Sequence, residues 1–337
     1  GADEAPFKVV KVYFGTDRKP VAGAQEPRER FGDERGQAVT YGFTEVSIPR
    51  GHTTGEVESP WFLRRYLETP RRHVVLMRVQ LQGPDVFYGE LEAHAKSRVR
   101  SPLIFVHGFN NTFEDTARRT AQIAHDIKFP GVPQFYSRPS GGAVRDYISD
   151  GNNADQAVTY LKVFLTEIAE RATFESVTLI AHSMGNRALT RAIMGLRNEI
   201  QPANLRKFRE LILAAPDIDA DVFRNEIAPA LVATKAGITL YASSADEALR
   251  ASKAVNGARW AGDSEGGALV IPGIDYIDAT NVDTSLFGGL RHAYVADSHN
   301  VLNDMHALIV NRLPVGKRLG LDPLPDAASP KYWRFRR

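Results

Sequence analysis

Val177-Thr-Leu-Ile-Ala-His-Ser-Met-Gly-Asn-Arg187 is the stretch on which the fold turns. An apolar strand, Val177–Ala181, runs directly into a helix, Met184–Leu196, through Ala181-His182-Ser183-Met184-Gly185. Small residues two before and two after Ser183 let strand and helix pass closely, and the sharp turn lifts a serine hydroxyl above the sheet. This is the pattern of a nucleophile elbow, with Ala181 adding one methyl where Gly is usual. The Met184 N–H, at the start of the helix, is placed to face a developing oxyanion with help from the helix dipole.

A second element lies upstream, in Ile104-Phe-Val-His-Gly-Phe-Asn-Asn111. A His-Gly turn after an apolar strand supplies the other oxyanion donor from the N–H that follows the Gly, here Phe109. Either segment alone arises by accident. Together, in strand–turn–helix context, they point to acyl-transfer chemistry.

Working outward, strand-like and helical segments alternate from about residue 101. Strands are expected at Leu103–Val106, Val132–Tyr136, Val177–Ala181, Leu211–Ala215, Ile238–Ala242 and Val270–Ile277. Helices are expected at Phe113–Lys128, Asp155–Arg171, Met184–Leu196, Ala220–Val232, Ala245–Ala254 and His299–Leu313. These strands are continuous apolar runs, as in a parallel sheet covered on both faces. Residues 1–100 read as β-rich, with strands at Lys8–Phe14, Ala38–Pro49 and His73–Gln82. The expectation is one α/β domain over 1–337: a β-rich N-terminal extension (8–100), a core (101–313) that holds both turns, and a C-terminal tail (314–337).

Val106-His-Gly-Phe-Asn110, Ala181-His-Ser-Met-Gly-Asn186 and Leu213-Ala-Ala-Pro-Asp217 resemble a bacterial family of α/β-hydrolases catalogued as a domain of unknown function. Val12-Tyr-Phe-Gly-Thr-Asp-Arg18 and Tyr41-Gly…Val46-Ser-Ile-Pro-Arg-Gly-His52 are similar too, so the resemblance spans roughly residues 9 to 312. It implies the α/β-hydrolase fold and a serine-hydrolase apparatus of esterase or lipase type. One departure is Tyr136-Ser-Arg-Pro-Ser140, where such proteins usually carry Trp at the Arg138 position.

A serine hydroxyl needs a histidine base, and in this fold the chain order is Ser, acid, His. Of nine histidines, five precede Ser183 and His182 is its neighbour. His306 sits inside the last helix. His292, in the loop Gly288-Gly-Leu-Arg-His-Ala-Tyr294, is the preferred base, and the resembling family has a His-x-Tyr there. His299, at a helix start whose dipole weakens a base, is the alternative. The preferred acid is Asp246, just after the strand Ile238–Ala242, with a helix N-cap as its plain role. Asp217, one strand earlier, is the alternative. Asn110, Tyr147 and Asp150 are candidate substrate contacts, the last two in a loop long enough to cover the site.

Composition narrows the rest. The 337 residues carry 42 Lys and Arg against 40 Asp and Glu, a balance that offers no concentrated basic patch for nucleic acid. Zero cysteines remove disulfides, thiolate metal sites and cysteine nucleophiles together. No His-Glu-x-x-His, phosphate-binding loop or dinucleotide fingerprint occurs, so neither cofactor nor metal is expected. No apolar run reaches the length of a membrane span. The sequence opens on Gly rather than Met, which leaves a processed, exported form and a cytoplasmic one both open. The expected activity is carboxylic ester hydrolysis on a small or lipid-like ester. The alternatives are an amidase, thioesterase or acyltransferase using the same triad, or a non-catalytic interaction protein on the same scaffold. Oligomeric state is not legible.

Overall fold

A computed structural model of the chain describes residues 5–60, 67–96, 101–108, 110–141, 147–171, 174–244, 259–280 and 295–337, with 147, 148 and 295–300 as backbone alone. The strands are β1 (Phe7–Pro20), β2 (Phe31–Pro49), β3 (Val75–Gln82), β4 (Leu103–Val106), β5 (Pro133–Ser137), β6 (Val177–His182), β7 (Phe208–Ala214), β8 (Gly237–Ala242), β9 (Asp275–Asp278), β10 (Leu321–Leu324) and β11 (Tyr332–Phe335). They form one sheet in the order β10-β11-β9-β8-β7-β6-β4-β5-β1-β2-β3. From β1 through β9 to β11 neighbouring strands are parallel, while β2 and β3 on one edge and β10 on the other are antiparallel to their neighbours.

The helices are α1 (Pro84–Lys96), α2 (Phe113–Asp126), α3 (Tyr147–Arg171), α4 (Gly185–Glu199), the short α5 (Pro202–Leu205), α6 (Ala220–Val222), α7 (Ala228–Ala233) and α8 (Val295–Ile309). A π-helical turn, Phe223–Ile227, joins α6 to α7. Each short parallel strand sends alternate side chains to opposite faces. Ile104 and Val106 of β4 pack with α1, α3 and α4 on one face. Leu103 and Phe105 pack with α2 and α8 on the other. The continuous apolar runs therefore serve two cores at once.

Four expectations change. Residues 84–96, inside the β-rich N-terminal extension, form a helix. Pro84 sits at the first helical position, and Phe87, Tyr88, Leu91 and Ala95 form a buried helical stripe despite the strand preference of their aromatic pair. Helix α3 begins at Tyr147, eight residues early, running through Asp150-Gly-Asn-Asn153. Those residues are poor helix formers, but Asp150 and Asn153 are held by long-range hydrogen bonds, and tertiary contacts override propensity. Strand β9 is only Asp275–Asp278, because Pro272 and Gly273 (φ 88°) break the run before it. The C-terminal tail adds strands β10 and β11 to the sheet, β11 beside β9. The helix expected at 245–254 lies outside the described residues.

A buried ion pair ties α8 to the C-terminal segment. The Arg318 Nε lies 3.0 Å from Asp304 Oδ1, both side chains essentially without exposure, and Tyr241 on β8 donates to Asp304 Oδ2 at 2.6 Å. Asp304→Ala would strand the Arg318 charge in the interior. The expected cost is about 3–5 kcal/mol, read as a lower urea midpoint at unchanged slope.

Candidate active site

Ser183 follows β6 at the carboxyl end of the parallel strands, with φ 52°. That is the left-handed region, which costs a residue with a Cβ roughly 1–2 kcal/mol, so surrounding bonds must hold it. They do. Ser183 N–H donates to Ala214 O at 2.9 Å, while Ser183 O accepts from the backbone N–H groups of Asn186 (3.1 Å) and Asp217 (3.2 Å). The Asn186 side-chain amide donates to Ser183 O at 3.1 Å and to Ala214 O at 3.2 Å. The turn is thus bolted to β7. Gly185 permits it sterically, because a Cβ there would come within 2.4 Å of His107 O and 2.7 Å of Val106 O on β4.

The Ser183 Oγ is buried and accepts or donates no hydrogen bond among the described residues. Facing it is Gly108, whose missing Cβ would lie 2.8 Å from His182 Nδ1 and 3.1 Å from the Ser183 Cβ. Met184 has right-handed geometry at the start of α4, and the first N–H groups of a helix have no intrahelical partner. The β4 loop and the α4 terminus therefore converge on Ser183.

Behind the loop lies a layer of buried charge. His107 is fully buried; its Nε2 accepts from Arg138 N–H at 2.9 Å, and its Nδ1–H donates to Gly108 O at 2.7 Å. Burial, with the cations Arg138 and Arg18 nearby, holds His107 well below its ordinary range, so it is neutral. Arg138 Nη2 donates to the same Gly108 O at 2.8 Å, and Nη1 to Asp150 O at 3.2 Å. Arg18 Nη2 donates to Asn111 O at 2.8 Å and its Nη1 to Ser140 O at 3.0 Å. Desolvation pushes both guanidinium groups down to about 10, which leaves them charged at neutral pH.

Two carboxylates balance these cations. Asp150 accepts from Asn110 N–H at 2.9 Å, from Gly141 N–H at 3.1 Å and from the Ser140 hydroxyl. It braces Asn110, which has φ 62°. Asp17 accepts from Tyr136 OH at 2.8 Å, and burial pushes its carboxyl from 3.8 up to about 6. The pKa is raised by folding, so this group's stabilisation is full below pH 3.8 and lost as pH rises through about 6. Asp17→Asn keeps an acceptor for Tyr136 and carries no charge. It is expected to gain about 3 kcal/mol at pH 7–8, a gain that vanishes near pH 4. Urea melts across that range check it.

Asp217 is fully buried; its Oδ1 takes Arg187 Nη2 at 3.1 Å and its O takes Arg187 Nε at 2.9 Å. Arg187 is on the first turn of α4, so this pair ties α4 to the end of β7. Asn110 is 5% exposed, with its Oδ1 unbonded among the described residues. Asp150 is equally interior, and its carboxylate serves the loop. Tyr147 lies on the first turn of α3 and His299 on α8, their side chains outside the described set. Phe109, Asp246 and His292 lie outside the described residues.

The family described as "Alpha/beta hydrolase of unknown function (DUF900)" matches residues 85–312, two thirds of the chain. The chain belongs to this family. Among solved structures, the chain is similar to the lin2722 gene product of Listeria innocua, at 11% identity and TM-score 0.37, over 71% of this chain and 99% of that one. It is also similar to a Trichoderma reesei cutinase in complex with a phosphonate inhibitor, at 13% identity and TM-score 0.25, over 42% of this chain and 65% of that one. No curated protein matches it. No described helix is long and apolar enough to cross a membrane.

The buried charge layer was missed in the sequence reading. Its signal is present in Thr16-Asp17-Arg18 and Ser137-Arg138, where full charges interrupt otherwise apolar strand ends.

Proposed function

We propose that this α/β hydrolase cleaves carboxylic esters through Ser183. The observation that carries the reading is the Ser183 turn: a strained serine, its hydroxyl unbonded among the described residues, between the Gly108 loop and the α4 terminus. In the proposed reaction Ser183 Oγ attacks the acyl carbon while His292 takes its proton, with Asp246 orienting the imidazole and stabilising its cation. The N–H groups of Phe109 and Met184 hold the tetrahedral oxyanion. His292 then returns the proton to the departing alcohol, and water releases the acyl group by the same steps.

Esters are proposed over amides by analogy with the fold. In our reading the buried charges serve this chemistry indirectly. Arg138 and His107 both donate to Gly108 O, and so hold the residue that precedes the donor proposed at Phe109. The test is hydrolysis of para-nitrophenyl esters from acetate to palmitate, beside labelling by a fluorophosphonate. Turnover with labelling supports the reading; a folded protein that neither turns over nor labels overturns it.

A further inference from the structure

The segment Arg50-Gly-His52, part of the family-like sequence, has no part in the Ser183 site. Strand β2 is antiparallel to β1, and β1 is parallel to β5. The Pro49 end of β2 therefore lies where the parallel strands begin, opposite Ser183. Helix α2 returns from the carboxyl ends of the strands and finishes at the same place, at His125 and Asp126.

There His52 Nε2 lies 2.7 Å from Asp126 Oδ1, and the ring of His125 stands edge-on to His52 at 5.3 Å between centroids. One ligand-capable atom from each of these three residues falls within 4.8 Å of the others. The surroundings have what a metal site needs beyond its ligands. His52 Nδ1 is held by Glu58 Oε1 at 2.6 Å, the carboxylate–histidine pairing that fixes the tautomer of a liganding imidazole. Asp126 Oδ2 is held by Gly55 N–H at 2.7 Å and by the Gln122 amide at 2.6 Å, so Oδ1 is the oxygen turned to the histidines. A cavity of about 480 Å³, lined in part by His52, His125, Lys8 and Arg50, opens beside the pair and leaves room for a further ligand.

We propose that His52 Nε2, His125 and Asp126 Oδ1 bind one divalent transition metal of the zinc type, with Glu58 orienting His52 and a water from the cavity completing the tetrahedron. Two imidazoles, one carboxylate and a water are a donor set suited to zinc. The metal takes the place of the proton between His52 and Asp126, and the two ligand atoms part from 2.7 Å to the roughly 3.3–3.5 Å that separates tetrahedral ligands at about 2.0–2.2 Å from zinc. A simple ion pair between His52 and its two carboxylates leaves His125 without a role: its imidazole makes no hydrogen bond among the described residues. The metal cross-links the loop after β2 to the end of α2, far from the hydrolytic site.

Titration of the metal-free protein with Co²⁺, followed by its visible absorption, tests this directly. The expected result is one equivalent with tetrahedral bands, and a rise in melting temperature with Zn²⁺. His125→Gln removes a ligand but no described hydrogen bond. Its metal-free melting temperature and its ester hydrolysis should match the parent, while cobalt affinity falls at least 100-fold. Glu58→Gln should weaken binding by about 10–100-fold. A parent that binds no cobalt, or a His125→Gln variant that binds it equally well, overturns the site.

Discussion

Ser183→Ala is expected to lower the turnover of a para-nitrophenyl ester by about 10⁶-fold and to abolish fluorophosphonate labelling. The magnitude follows from the proposed mechanism: without the hydroxyl there is no acyl-enzyme, and only binding and oxyanion stabilisation remain. The structure makes the comparison clean. Ser183 Oγ has no hydrogen bond to lose among the described residues, and the bonds that secure the turn run through its backbone N–H and C=O. Alanine tolerates φ 52° no worse than serine, since both carry a Cβ. Melting temperature should therefore change little while activity disappears. Activity surviving in the variant would remove Ser183 from the mechanism.

The second large effect separates the two acids. Asp246→Asn is expected to cut turnover by about 10⁴-fold, the loss seen when the carboxylate behind a catalytic imidazole becomes an amide. Asp217→Asn should lower it less than about tenfold. The Asp217 carboxylate holds Arg187 Nη2, an interaction that an Asn oxygen partly keeps. Its penalty should appear as stability, about 1.5–3 kcal/mol for a weakened charge-assisted bond. The reverse ranking in kcat would transfer the acid to Asp217 and place the triad on β7. Measuring both variants for kcat and for urea midpoint distinguishes the outcomes, since a structural tie and a catalytic acid move different quantities.

The fold was legible wherever one local signal decided it. Strand β4 was read to the residue because Leu-Ile-Phe-Val has no competing pattern. The strand–turn–helix around Ser183 was legible because Ala181 and Gly185 are small at the two positions where chains cross. Helix α1 was not, since Phe87 and Tyr88 favour strands and burial against Tyr13 and Tyr41 of the sheet and Phe164 of α3 selects the helix. The start of α3 was hidden for a related reason: Asp150 is a turn former until the β4 loop binds its carboxylate. What supports the candidate site was the least legible part. Arg18, Arg138 and Asp150 are scattered along the chain, and a charge's partner across that distance leaves no local pattern. The same holds for His52 and His125.

The sheet's width has a consequence for how copies of the protein meet. Adjacent strands turn by about 20–25°, so eleven of them accumulate on the order of 200° between β10 and β3. Pro323 also removes an amide hydrogen from the β10 rim, where another backbone would need it. A second copy laid against the β10 rim therefore meets it short of a donor, which makes that edge a poor template for a flat ribbon of copies, the geometry from which fibrils grow.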